Sequence, residues 1–289
     1  MASMRDIKRR KQSVESTQQI TKAMKLVSTV KLQRAKERAE KSQKFFTAIY
    51  DTVSSILLRA GNIEHRYLKG GASGKKAVIL ITGNRGLAGG YNSNLVKLIT
   101  RDEKFNKDNT VIYAVGRKGR DTLRRQGYEI KADYSDAIDE PVFRDAMDVS
   151  NDVLAAFEAG EIGEIYLAYT FFKNTVSHVP TLLKLLPVDM AATRPDELDD
   201  KEAMVPMNFE PHDEEALDMI IPKYVTSLIF GGLIEAVASE HGARMQAMDS
   251  ATNNATEIID NLSLLYNRAR QSAITQELTE IIAGADAIS

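Results

Sequence analysis

The stretch His241–Ala287 reads HGARMQAMDSATNNATEIIDNLSLLYNRARQSAITQELTEIIAGADA. Positions 241, 245, 248, 252, 255, 259, 262, 266, 269 and 273 alternate steps of four and three. They hold His241, Met245, Met248, Thr252, Ala255, Ile259, Leu262, Tyr266, Ala269 and Ala273. That is a seam at heptad spacing, long enough to supercoil around a partner helix. Its small and polar occupants predict close-packed helices and a seam that is not buried all round. The helix extends back to about Asp213. A helix of about 70 residues is roughly 105 Å long, where ordinary helices average about 11 to 12 residues. Such a rod must project from any domain this chain can form, and something must pair with it or surround it.

Composition narrows the class. The chain has 289 residues, 43% hydrophobic and 27% charged, with a net charge of −2. It has no cysteine, which excludes disulfides, zinc–thiolate sites and thiol catalysis. No apolar run of about 18 residues stands out, so no membrane span is expected. The basic start MASMRDIKRRKQS lacks an apolar core and reads as neither a secretory signal nor a transit peptide. Charge is distributed unevenly. Residues 1–45 hold 13 Lys/Arg and 4 Asp/Glu, whereas residues 209–289 hold 4 and 13. Two long helices of opposite charge at opposite ends of the chain are natural antiparallel partners.

The first helix is expected from Met4 to about Leu58, with Ser3 as N-cap and Asp6 at N3. Its apolar residues, Ile7, Val14, Ile20, Met24, Val27, Val30, Leu32, Ala35 and Ala39, are sparse. A basic helix can bind nucleic acid or an anionic membrane. The chain's own acidic helix already supplies a partner, and the apolar face holds no Trp and little Leu or Phe before Phe45. No nucleic-acid role is therefore expected. Residues 61–76 (GNIEHRYLKGGASGKK) read as a linker. GGASGKK lacks the P-loop's first Gly, where Lys69 stands, and its Ser or Thr, where Lys76 stands.

Residues 75–190 read as an α/β domain with a mostly parallel, Rossmann-like sheet. Near-continuous apolar runs at 77–82, 110–115 and 164–172, with a more mixed fourth strand at 176–188, alternate with helical patterns that follow GNRGLAGGYNSN to about Thr100 and that span 117–126 and 142–158. A short extended piece falls at 128–134, and a hairpin near 171–179 adds an antiparallel strand. The turn GNRGLAGG after the first strand places glycines at 83, 86, 89 and 90, which is not the GxGxxG spacing. It reads as a tight turn or as a protein-contact loop with Arg85 at its tip. Ala191–Glu210 reads as a connector, and Pro222 predicts a kink in the last helix. His65, His178, His212 and His241 lie in different elements without metal-ligand spacing. No catalytic set, cofactor site or metal site is expected.

The domain plan is thus an N-terminal coiled-coil helix (1–60), the α/β domain (75–190) and a C-terminal coiled-coil helix (209–289). In this setting Ile274–Ala287 (ITQELTEIIAGADA), Ser239–Ala255, Gln18–Ala35 and Arg85–Asn92 (RGLAGGYN) resemble the gamma subunit of bacterial F-type ATP synthases, in order and over essentially the whole chain. Ala88 departs from the Cys that many members carry there. The resemblance implies a central rotor shaft, one copy per complex, coupling ion flow through a membrane c-ring to ATP synthesis or hydrolysis. It implies alpha, beta and epsilon subunits as partners, and a peripheral place on the cytoplasmic face of the cell membrane. It also implies a small, nearly uncharged bearing near Ala285 and Ala287. By the same match, Met24, Arg244, Gln271 and Thr275 would join the two helices or meet beta. Arg270 and Gln271 would be gripped by a loop of beta, and Arg85 would meet a beta carboxylate. Plain seam packing stands beside that reading for Met24, Met245 and Met248. A nucleotide-binding α/β enzyme and a coiled-coil scaffold are the alternatives.

Overall fold

The computed structural model describes residues 4–59, 65–71, 73–188 and 213–286. The expected Ser3 cap, the connector Ala191–Glu210 and Ala287 lie outside the described residues, as does the side chain of Ala285. The elements are α1 (Met4–Arg59), β1 (Lys76–Ile81), α2 (Tyr91–Thr100), β2 (Thr110–Val115), α3 (Arg117–Arg125), β3 (Glu129–Asp133), a 3-10 turn (Ser135–Ile138), α4 (Phe143–Glu158), β4 (Glu164–Phe172), β5 (His178–Leu186) and α5 (Asp213–Asp286). They form two compact units, one from residues up to 28 with those from 245 on, the other from residues 29–244.

In the larger unit the sheet order is β3-β2-β1-β4-β5. β1 pairs in parallel with β2 and β4, and β2 in parallel with β3. β5 returns antiparallel along β4, from Phe172↔His178 to Ile165↔Leu186. The parallel strands β1 and β2 are buried on both faces, which is why they read as unbroken apolar runs. β3 alternates exposed and half-buried positions, as an edge strand does. On one face Val78, Leu80, Ile112 and Ala114 pack with Leu95 and Ile99 of α2 and Leu123 of α3. On the other, a Cβ at Gly232 of α5 would lie 3.0 Å from Leu167 and 3.4 Å from Ile81, so the bare backbone lets α5 lie close on the sheet.

Two expectations change. α5 does contain an 18-residue window apolar enough to cross a membrane on composition, but 61% of that window is buried inside the structure. Its apolar character answers to the sheet it covers. The described part of the linker is also not loose. Tyr67 is 1% exposed and its hydroxyl hydrogen-bonds Glu158. Arg66 bonds Asp218 at 2.8 Å, and Gly71 N–H donates to the Gly163 carbonyl at 3.1 Å. A buried phenol needs a polar partner, and the helices supply it.

The smaller unit pairs the chain's two ends antiparallel. Gln18 Nε2 donates to Thr256 Oγ1 at 2.7 Å, Thr21 and Thr252 hydroxyls meet at 2.8 Å, and Lys25 Nζ meets Asp249 at 2.5 Å. Every seam position from Met245 to Ala273 is buried or half-buried. The face α1 offers is more polar than its apolar residues suggested. Thr21 and Ser28 are buried, while Ile20 and Val27 are more than half exposed. Small and hydroxyl-bearing residues let the backbones approach and satisfy one another's polar groups, so Ile20 and Val27 are left on the outer face while Ile7, Val14 and Met24 stay half-buried.

Candidate functional site

The β1–α2 turn is built from its own side chains. The Asn92 carboxamide accepts from Gly83 N–H at 2.8 Å and donates to the Arg85 carbonyl at 3.3 Å. Asn84 donates to the Ser135 carbonyl at 2.8 Å and accepts from Arg117 N–H at 3.1 Å. Beneath it, Thr82 Oγ1 accepts from Gly119 N–H at 3.0 Å and donates to the Gly116 carbonyl at 3.1 Å. Ala88 is buried, whereas Arg85 and Leu87 are exposed at the tip.

Gly83 abuts α5. A Cβ there would lie 2.5 Å from Glu240 Oε1. Glu240 forms an ion pair with Arg244 in which both side chains are about nine-tenths buried. Arg244 also lies 3.3 Å from His241 Nδ1. Burial first, then the charges of Arg244 and Lys31, push His241 down to about 4, so its ring is neutral at pH 7. Thus the glycine turn that could cradle a pyrophosphate in a dinucleotide-binding fold instead receives a carboxylate. Nearby, a cleft is lined by Lys31, Arg34, Arg38, Asp139 and Glu140.

Farther back on α5, Glu235 accepts from Phe172 N–H while its Oε2 is buried without a partner. Burial pushes its pKa up to about 7, against that one bond. A carboxyl raised in this way stabilises the fold fully below its unfolded value of about 4.5, and that contribution is lost as pH rises through about 7. Glu235→Gln should therefore gain up to about 3 kcal/mol over the parent at pH 8, and nothing below pH 4.5. Urea midpoints across this range check it, and a pH-independent difference would refute it.

The expected contact residues fall in separate places. Met24 is half-buried in the seam, beside Thr21 and Lys25 and so opposite residues 249–252. Gln271 lies about 30 Å farther along α5, at 1.5 Å per residue, and is not brought to Met24. Gln271 and Thr275 are neighbours: Thr275 Oγ1 donates to the Gln271 carbonyl at 3.0 Å. With Arg270 they are exposed. Arg244 is taken up by Glu240 and His241 in the larger unit.

Sequence reading missed the surface beyond the seam. All residues from Ile274 to Gly284 are exposed, and Ile274, Leu278 and Ile281 form a stripe there, exposed by 47%, 55% and 63%. The signal was present: after Ala273 the seam steps onto Gln276 and Glu280, so the apolar face rotates away from the pairing face.

A family model described as ATP synthase matches residues 3–288. The chain is 62% identical over 292 residues to the ATP synthase gamma chain of Lachnoclostridium phytofermentans, covering all of both. It is 40% identical over 301 residues to the ATP synthase gamma chain, sodium ion specific, of Acetobacterium woodii, covering 99% of each. Among solved structures it resembles a chain of the Euglena gracilis mitochondrial ATP synthase OSCP/F1/c-ring assembly, with a TM-score of 0.69 and 19% identity, covering 99% of this chain and 94% of that one. A chain of the rotor of the same enzyme gives 0.68 and 17%, covering 94% and 98%. These likenesses concern the fold.

Proposed function

The chain belongs to the ATP synthase gamma-chain family, and from that premise we propose that it is the central rotor shaft of a bacterial F-type ATP synthase. It couples ion flow through the membrane c-ring to ATP synthesis or hydrolysis in the alpha/beta ring. It sits once per complex, peripheral on the cytoplasmic face of the membrane, and meets the epsilon subunit and c-ring through its α/β domain. It has no catalytic site of its own and takes no cofactor. The working division is residues 1–60 and 209–289 for the shaft and 75–190 for the α/β domain.

The observation that carries the reading is the antiparallel pairing of the two chain ends, followed by an exposed apolar stripe at 274, 278 and 281. Such a stripe stays in water only when no other surface covers it, and a surrounding ring supplies that cover. Arg270, Gln271 and Thr275 stand at the start of this stripe, as contacts with beta would. Arg85 stands at the tip of a braced loop, suited to a beta carboxylate. Met24 and Arg244 act within the shaft, setting helix pairing and the seating of α5. An asymmetric shaft touches each beta subunit differently, and differential contact energy shifts each between open and closed states. The Glu240 carboxylate against Gly83 speaks against a nucleotide in the β1–α2 turn.

The test is co-expression with alpha and beta subunits, read by native mass and ATPase. One copy per six-membered ring, with ATPase raised over the ring alone, is the expected result. A chain that stays apart from the ring would sink the reading. In the assembled enzyme, Met24→Lys adds a second cation beside Lys25 at the seam. ATP-driven ion pumping should fall several-fold while ATPase persists, and unchanged coupling would refute the role of Met24.

A further inference from the structure

A cleft in the larger unit plays no part in the pairing of the chain ends. α1 supplies Lys31, Arg34 and Arg38 to its lining, the segment leading into α4 supplies Asp139 and Glu140, and α5 supplies His241. Positions 31, 34 and 38 step by three and four, so α1 carries all three cations on one face. None of them forms an ion pair among the described residues, whereas Lys36 of the same helix reaches Glu40 and Arg244 of α5 holds Glu240. Asp139 and Glu140 are likewise in no ion pair among these residues. Five charged side chains thus line one cleft without neutralising one another directly.

The rest of the lining is apolar. Ala35, Ile234 and Val237 are buried, while the charged side chains are exposed. A low-dielectric wall beside exposed cations strengthens their field at the cleft. His241 is neutral at pH 7, so three positive charges stand against two negative ones. The cavity measures about 90 Å³. That suits one small oxyanion and falls short of the roughly 300–1,000 Å³ that drug-sized ligands fill.

We propose that this cleft binds inorganic phosphate, as hydrogen phosphate, in preference to sulfate. Arg34 and Arg38 bring planar forks that pair with two oxygens of a tetrahedral anion, and Lys31 adds a point charge. The carboxylates decide between anions. Hydrogen phosphate keeps an O–H at neutral pH and donates it to Asp139 or Glu140, a charge-assisted bond of the strong kind. Sulfate carries no proton there, so the same carboxylates repel it. Bound phosphate joins α1, the segment before α4 and α5 at one point. Phosphate binding here is separate from the coupling role, and either can hold without the other.

Equilibrium dialysis of the full chain against radiolabelled inorganic phosphate, at fixed ionic strength and pH 7, tests it. One phosphate per chain is expected, and equimolar sulfate should displace it poorly. Arg34→Gln with Arg38→Gln should weaken binding by about tenfold or more, since charge-assisted bonds are lost. Asp139→Asn with Glu140→Gln should remove the preference, because an amide can donate to sulfate. All four side chains are exposed, so the variants should keep the parent's thermal midpoint in buffer free of both anions. Absence of binding in the parent overturns the proposal. So does equal competition by sulfate in the parent, which would be screening of a cationic patch. Binding that the arginine variant leaves unchanged, or a preference that survives loss of both carboxylates, overturns it as well.

Discussion

Gly116→Ala should abolish the folded α/β unit, with a cost of at least about 4 kcal/mol. Gly116 ends β2 and starts α3 at φ +115°, a region L side chains rarely adopt. An added Cβ would sit 1.8 Å from the Thr82 carbonyl oxygen and 2.8 Å from Thr82 Oγ1. Neither neighbour can move. Thr82 is 0% exposed, its N–H donates to the Val115 carbonyl at 2.7 Å, and its hydroxyl bridges Gly116 and Gly119. Relief would separate β1 from β2 at the centre of the sheet. The readout is soluble yield and the urea midpoint of the variant. A shift worth less than about 1 kcal/mol would mean the turn has a second conformation.

Arg244→Ala should destabilise the chain by about 3–5 kcal/mol, because it leaves the Glu240 carboxylate buried without its cation. Glu240 is 8% exposed and lies against Gly83, so it cannot turn to water without displacing the turn. His241, held neutral by burial and by Arg244 and Lys31, is not a ready replacement cation. Adding Glu240→Gln to Arg244→Ala should recover most of the loss, since the unpaired charge and not the missing contact dominates. Chemical denaturation of the single and double variants checks this. Additive losses would show that Arg244 acts by packing alone. In the assembled enzyme the single variant should also loosen the turn that carries Arg85 and Leu87, lowering activity more than Gln271→Ala does.

Much of this molecule was legible in its residue pattern. The seam at 245–273 follows from the four-three spacing, because a helix must bury whichever stripe repeats at 3.5 residues. The β2 and β4 spans follow from apolar runs bounded by turn residues, and the opposite charges of the chain ends anticipate their antiparallel pairing. Leu87 was not legible: a leucine in a glycine-rich turn carries no mark of its φ of +63°. Nor was the fate of Arg244, since a cation on a helix looks the same whether solvated or buried beside Glu240.

The sequence by itself determined the parts: two long helices, a mostly parallel sheet and the family to which they belong. The helices and strands depend on hydrophobic patterning along the backbone, which is a local property, and the family on the match of Gln18–Ala35, Arg85–Asn92, Ser239–Ala255 and Ile274–Ala287. The tertiary structure decided which residues face outward and which are spent inside. Packing against the close seam turned Ile20 and Val27 outward. The approach of α5 to the sheet put Glu240 against Gly83 and left Glu235 half-satisfied. Those outcomes depend on distances between elements far apart in the chain, and a one-dimensional pattern does not encode them.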